Sequence, residues 1–308
     1  MVIKTFLVSF YLKKLKKIEK ELKDFGVNVS INPLPTIRIR FSKGNLFLYK
    51  VKLEGKTLYG KDFLNEINTG DLKNIPPRRF FSYLFSGAKE LIRNFDPKGY
   101  NDKDILYNSA KTIIYCAETL LMMEGLYFID KKKMINLSDE ELRKDFEVAL
   151  NIINDDIDIN VEPTDLWFRA KNHVISTFLR LMKKYYKVNN SVGQAVKDYL
   201  KLSDYRFLKN FEYLILTLII KKELNLKAIF SKKSVEKRMF ESLLLLLLSV
   251  NHEKGKIMID KNYLSICIKN LNSFMKISVN EKNIQKIWKN LRNKILENWQ
   301  YTCSVMGV

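Results

Sequence analysis

Apolar residues recur at three- and four-residue spacing along most of this chain, and give way to alternation only in its opening segment. The clearest helical pattern is Asn101–Tyr127, where Ile105, Ala110, Ile113, Ile114, Ala117, Leu120, Leu121 and Leu126 make one wide apolar face. Asn101 suits the N-cap, Asp102 and Asp104 suit the positive end of the helix dipole, and Gly125 suits the stop. The same period predicts helices over Leu12–Asp24, Pro77–Phe95, Thr164–Tyr186, Ser191–Leu200, Asp204–Leu224, Ser234–Val250, Lys261–Met275 and Asn280–Tyr301. Ser138-Asp139-Glu140-Glu141 is a capping box opening a further helix to about Ile153. Strand-like patterns are confined to the start: Val2–Phe10, Val27–Asn32, Thr36–Ser42 and a short Thr57–Tyr59. Asn45–Leu53 fits both periods, since Phe47, Tyr49, Val51 and Leu53 alternate while Leu46, Tyr49 and Leu53 form a helical stripe. Asn32-Pro33-Leu34-Pro35 imposes a turn or an extended corner. From Pro76 onward strand signals almost vanish. The expected fold is α+β and predominantly helical, with a small α/β lobe over 1–72, a first helical segment over 73–155 and an all-α part over 156–308.

Composition sharpens the functional side. The 308 residues carry 54 Lys+Arg against 34 Asp+Glu, a net charge of +20, which favours a polyanionic partner such as a nucleotide or nucleic acid. A protein partner is the other expectation. The excess is mostly lysine, so a solvated basic surface explains it equally well. Cys116, Cys267 and Cys303 stand far apart without metal-ligand spacing, and only His173 and His252 are present, so no metal site is expected. The apolar runs Tyr213–Ile220 and Ser242–Val250 fall short of the ~20 residues of a membrane span, and Met1–Leu22 turns lysine-rich. A soluble cytoplasmic protein without a membrane partner is expected. Phosphate-loop, dinucleotide, zinc-protease and nucleophile-elbow motifs are all missing from the sequence.

The segment Asn28–Asp62, ending in Leu58-Tyr59-Gly60-Lys61-Asp62, resembles the second half of a minimal nucleotidyltransferase domain. The stretch from Ser109-Ala110-Lys111 to Glu124-Gly125-Leu126-Tyr127 is similar to the helical bundle that accompanies such domains in kanamycin-nucleotidyltransferase-like and HEPN-like proteins. That resemblance implies nucleotidyl transfer assisted by Mg²⁺ from a nucleoside triphosphate. The family's Gly-Ser turn would precede the first strand, its Asp-x-Asp falls on Val2 and Lys4, and Val27–Leu53 contains no carboxylate. Lysine cannot replace the oxygen ligands of a hard cation. The expectation is therefore binding without catalysis, with activity restored only if an upstream segment supplies the missing motifs.

In that frame Arg38, Arg40, Lys50, Lys52 and Tyr59 are candidate ligand contacts on the lobe, with Tyr107, Lys111 and Tyr115 on the helix behind it. The ordinary alternative is that the tyrosines supply apolar area and the lysines reach to solvent. Arg169 and His173, four residues apart on one helical face, form an alternative ribonuclease-like pair. Three patches interleave aromatic and basic residues: Arg78-Arg79-Phe80-Phe81, Lys183-Lys184-Tyr185-Tyr186-Lys187 and Trp288–Trp299. Such patches stack single-stranded bases when exposed and line helix contacts when buried.

Overall fold

The computed structural model describes residues 2–3, 9–26, 34–35, 39, 43–58, 61–96, 102–137, 140–154, 161–188, 191–204, 210–211, 213–215, 217–218, 233–253, 256–275, 277 and 281–299. Among these, helices dominate, as the periodicity requires. They are α1 (Ser9–Asp24), α2 (Leu46–Glu54), α3 (Pro77–Arg93), α4 (Asp102–Met123), α5 (Lys131–Leu137), α6 (Glu140–Ile153), α7 (Pro163–Tyr186), α8 (Val192–Lys201), α9 (Val235–Leu248), α10 (Lys261–Asn272) and α11 (Ile284–Trp299). Short 3-10 turns occupy Leu64–Glu66 and Leu72–Asn74, and residues 210–218 are helical where described. No helix among the described residues is long and apolar enough to cross a membrane.

The lobe is less β-rich than alternation implies. Strand β1 (Val2–Ile3) pairs in parallel with β2 (Leu34–Pro35), Val2 opposite Leu34; Asn32 and Pro33 of the proline corner lie outside the described residues. The expected strand Val2–Phe10 does not reach Phe10, because Ser9 and Phe10 already belong to α1; residues 4–8 lie outside the described residues. Ile39 is helical and buried rather than extended; the rest of Thr36–Ser42, like Val27–Asn32, lies outside the described residues. The two-period segment resolves as helix α2, because Asn45 caps it: its Oδ1 accepts the Leu48 N–H at 3.0 Å. Thr57 and Leu58 form no strand.

Helix α4 is central, packed against α3, α6 and α7. It ends as its glycine requires: Gly125 has φ +79°, its N–H reaches the Met122 carbonyl at 3.0 Å, and Leu126 N–H reaches Leu121 at 2.9 Å. One continuous apolar core runs from Leu46 to Trp299, with a small satellite of Ile39, Leu48 and Ile67 under α2. Large rings anchor it. Trp167 stacks on Phe95 at 4.0 Å and donates to the Leu91 carbonyl at 2.9 Å, while Trp288 donates to Leu246 at 3.2 Å.

Two elements break the expectation of uninterrupted helices. Helix α5 is unforeseen, and strands β3 (Val250–Glu253) and β4 (Lys256–Ile259) form an antiparallel hairpin with Val250 opposite Ile259. Each strand has four residues, too short to leave a clear period between two strong helices. Tertiary contacts hold the hairpin: Lys171 of α7 donates to the Val250 carbonyl, and Phe168 stacks on His252 at 5.1 Å.

The α3–α4 contact depends on one missing side chain. A Cβ on Gly87 would stand 2.4 Å from Tyr115 Cβ and 2.6 Å from its Cγ. Those atoms lie next to the α4 backbone and cannot swing away. Gly87→Ala should therefore lose about 1–3 kcal/mol to overpacking, outweighing the roughly 1 kcal/mol that alanine gains in helix propensity. Urea unfolding measures it; an unchanged midpoint would mean the two helices separate without cost.

Candidate ligand pocket

Four helix ends enclose a cavity of about 220 Å³. The start of α3 supplies Pro76, Pro77, Arg78 and Phe81; the end of α7 supplies Tyr186; the end of α8 and its loop supply Tyr199, Leu202, Ser203 and Asp204; the start of α9 supplies Glu236, Lys237 and Phe240. Local chemistry sets each end. Pro77 opens α3 with its φ preset and no N–H to satisfy. Helix α7 turns off at Lys187, a left-handed residue at φ 55° whose N–H returns to Lys183 at 3.1 Å. Ser234 caps α9, its Oγ accepting the Lys237 N–H at 3.2 Å, and its own N–H donates to the Asp204 carbonyl at 2.6 Å. That bond ties the loop after α8 to the pocket rim.

The walls are aromatic and the floor is charged. Phe81 lies 5.1 Å from Tyr199 and 6.2 Å from Tyr186, centroid to centroid, and Tyr186 keeps about two-fifths of its surface exposed. Lys237 Nζ donates to the Tyr199 carbonyl at 3.0 Å and lies 3.6 Å from Glu241 Oε1; Lys233 Nζ reaches the same carboxylate at 2.8 Å. Burial pushes Lys237 down to about 7, against the pull of Glu241, and raises the Glu241 carboxyl despite Lys237 and Lys233. Burial likewise raises the Tyr199 hydroxyl well above its usual range, helped by Glu241. Glu236 Oε1 accepts from Ser82 Oγ at 3.0 Å. Arg78 is exposed and makes no ion pair among the described residues. The set offers stacking surface, carboxylate acceptors for amino or hydroxyl donors, and a cation at the mouth.

The residues expected from sequence distribute unevenly. Arg38, Arg40 and Tyr59 lie outside the described residues. Lys50 and Lys52 sit on helix α2 rather than on a strand face, and both are engaged in packing. Lys50 Nζ bonds Glu118 Oε1 at 2.8 Å and Oε2 at 3.2 Å and lies 5.9 Å above the Tyr115 ring; Lys52 Nζ bonds the Ile67 carbonyl at 2.9 Å. Tyr115 packs 4.9 Å from the Tyr83 ring and lines a smaller cleft, about 50 Å³, with Asn45, Phe47, Arg79, Ser82, Tyr83 and Ser86. Burial, with Glu118 nearby, raises the Tyr115 hydroxyl beyond any physiological ionisation. Lys111 is half-buried, and burial lowers its pKa against the pull of Glu90; Tyr107 is half-exposed at the rim. Lys50 and Tyr115 therefore meet, with the lysine spent on Glu118.

Arg169 and His173 do share a face, and Asp145 of α6 holds both. Its Oδ1 lies 2.5 Å from Arg169 Nη1 and its Oδ2 2.7 Å from His173 Nε2. A shallow groove lined by Glu140, Glu141 and Lys144 passes over the pair. Its carboxylates oppose a phosphodiester, and Asp145 occupies one nitrogen of each partner.

Two of the three aromatic–basic patches converge. Arg78 and Phe81 from one and Tyr186 from another line the same cavity, and Phe80 stacks on Tyr185 at 5.8 Å beside it. The third patch is core, since Trp288 and Trp299 are buried. Sequence reasoning missed Tyr199, Asp204, Glu236 and Lys237. A signal existed: Glu236, Lys237, Arg238 and Glu241 crowd the first half of a helix that ends in six consecutive leucines, and buried charges persist only when paired or lining a cavity. Among the described residues no cluster of His, Cys, Asp and Glu is fit to hold a metal ion. No protein family, curated protein or solved structure matches this chain.

Proposed function

We propose that this protein binds a nucleotide or nucleic acid in the pocket between α3, α7, α8 and α9, as a nucleotidyltransferase-like chain that does not itself transfer nucleotides. The observation that carries this reading is the convergence of Arg78 and Phe81 with Tyr186 and Tyr199 around one cavity. A base stacks on the exposed part of Tyr186 at the pocket mouth, its amino groups facing Asp204, while its phosphate meets Arg78. The chain's charge of +20 supplies the long-range attraction. Val2 and Lys4 stand where the family would place metal-binding carboxylates, which supports binding over transfer.

Fluorescence anisotropy with a labelled single-stranded oligonucleotide tests it. Affinity should fall steeply as salt rises, because phosphate contacts release counterions. Arg78→Ala should weaken binding about tenfold and lower the salt slope by roughly one counterion per lost contact. No binding at low salt, or an Arg78→Ala protein that binds like the parent, would overturn the assignment.

A further inference from the structure

Three concavities meet at the first turn of α3. Pro76 borders both the aromatic pocket and a broader groove of about 610 Å³ that passes Lys43, Gly44 and Asn68–Asp71. On the other side, Arg79 lines the cleft that also holds Tyr83 and Tyr115. Successive helical residues point about 100° apart, so adjacent Arg78 and Arg79 serve two different cavities from one turn. Asn45 of the cleft directly follows Gly44 of the groove in the chain, so those two also adjoin. One mononucleotide occupies the aromatic pocket alone, leaving the groove and the cleft unused.

From this juxtaposition we infer that the ligand is single-stranded nucleic acid, its backbone running around the α3 start from the groove past Arg78 to Arg79, with one base inserted in the aromatic pocket. The inference rests on the binding reading above and names its substrate class. Cations punctuate the path: Lys43 is exposed and makes no ion pair among the described residues, Arg78 stands at the pocket mouth, and Arg79 lines the cleft. The Tyr186 ring, about two-fifths exposed, offers stacking surface beside Arg78. A duplex keeps its bases paired and cannot insert one; a strand with unstacked bases can.

The test is a length series of oligoadenylates from one to six nucleotides, with AMP as the shortest probe and a hexamer duplex as control, read by competition anisotropy. Affinity should climb with each added nucleotide up to about three, one per concavity, and then level off. Arg79→Ala and Lys43→Ala should each weaken the hexamer about tenfold while leaving AMP unchanged, whereas Arg78→Ala weakens both. Lys43 lies on an exposed loop, so its variant reports binding even if Arg79→Ala perturbs folding. If AMP and the hexamer bind equally, or the duplex matches the single strand, the strand path falls and the pocket reading survives. If neither AMP nor the hexamer binds, or Arg78→Ala changes nothing, the pocket reading falls with it.

Discussion

Glu118→Ala should lower the free energy of unfolding by about 3–5 kcal/mol and release α2 from the bundle. Glu118 is fully buried on α4, and three donors from three other segments end on its carboxylate: Lys50 Nζ of α2 at 2.8 Å, Lys131 Nζ of α5 at 2.8 Å, and the Tyr83 hydroxyl of α3. Lys131 bridges onward to Glu54 at 2.9 Å, and Tyr127 donates to the same Glu54 at 2.5 Å. Burial opposes charge on both, yet the Tyr127 and Lys131 hydrogen bonds hold the Glu54 carboxyl below its usual range, and Glu118 with Glu54 raises the Lys131 ammonium. Alanine leaves the Lys50 ammonium and the buried Tyr83 hydroxyl without this acceptor, and leaves Glu54 as the one carboxylate on Lys131 among the described residues. Glu118→Gln keeps the shape but loses the charge and one of the two acceptor oxygens, so its cost falls between. The exposed Lys17–Glu21 pair at 3.8 Å sets the scale: Glu21→Ala should cost no more than about 0.5 kcal/mol. Denaturant unfolding gives the numbers, and limited proteolysis between α2 and α3 should accelerate in Glu118→Ala. A loss below about 1 kcal/mol would mean that the network is not what holds α2 in place.

Lys237→Met should stabilise the protein below neutral pH, and the gain should shrink as pH rises. The ammonium of Lys237 gives up its proton near 10.5 in the unfolded chain and near about 7 in the fold, because burial beneath Tyr199 outweighs Glu241. Between those values the unfolded chain binds more protons than the folded one, so stability contributed at this site increases with pH. Below pH 7 both states are protonated and the fold carries the full penalty of a buried charge. Relative to Lys237→Met, the parent should be weakest at pH 6 and should recover on the order of 1 kcal/mol per pH unit toward pH 9. Lys171, lowered by burial to about 8, and the buried Cys116 and Cys267 titrate in both proteins, so their effects cancel in the difference. Unfolding free energies of the two proteins at pH 6 and pH 9 decide the matter. A difference that stays constant, or a variant less stable at both values, would contradict the buried-amine account.

The stop of α4 at Gly125 and the opening of α3 at Pro77 are local events, written in one or two residues. Such events are legible before folding, and so is the apolar stripe of α4. The β3–β4 hairpin was not, because four-residue strands acquire their identity from Lys171 and Phe168 on a distant helix. The N-terminal segment misled for a related reason. A short apolar run fits strand and helix alike, and the helical period of α1 extended into it.

The pocket divides the same way. Arg78-Arg79-Phe80-Phe81 and Tyr185-Tyr186 stand out in the sequence as aromatic–basic patches, and the charges in α9 stand out against its leucines. Nothing along the chain says that these three stretches meet, or that Trp288 and Trp299 go inward instead. A basic, largely helical chain, the glycine stop of α4 and the absence of carboxylates at Val2 and Lys4 are legible from the residues alone. The packing of distant helices is what gives Lys50 to Glu118 rather than to a ligand, and what brings Arg78, Tyr186 and Lys237 around one cavity. Helix ends follow from short-range hydrogen bonding, whereas a cavity is what remains where four separate helices fail to close on one another.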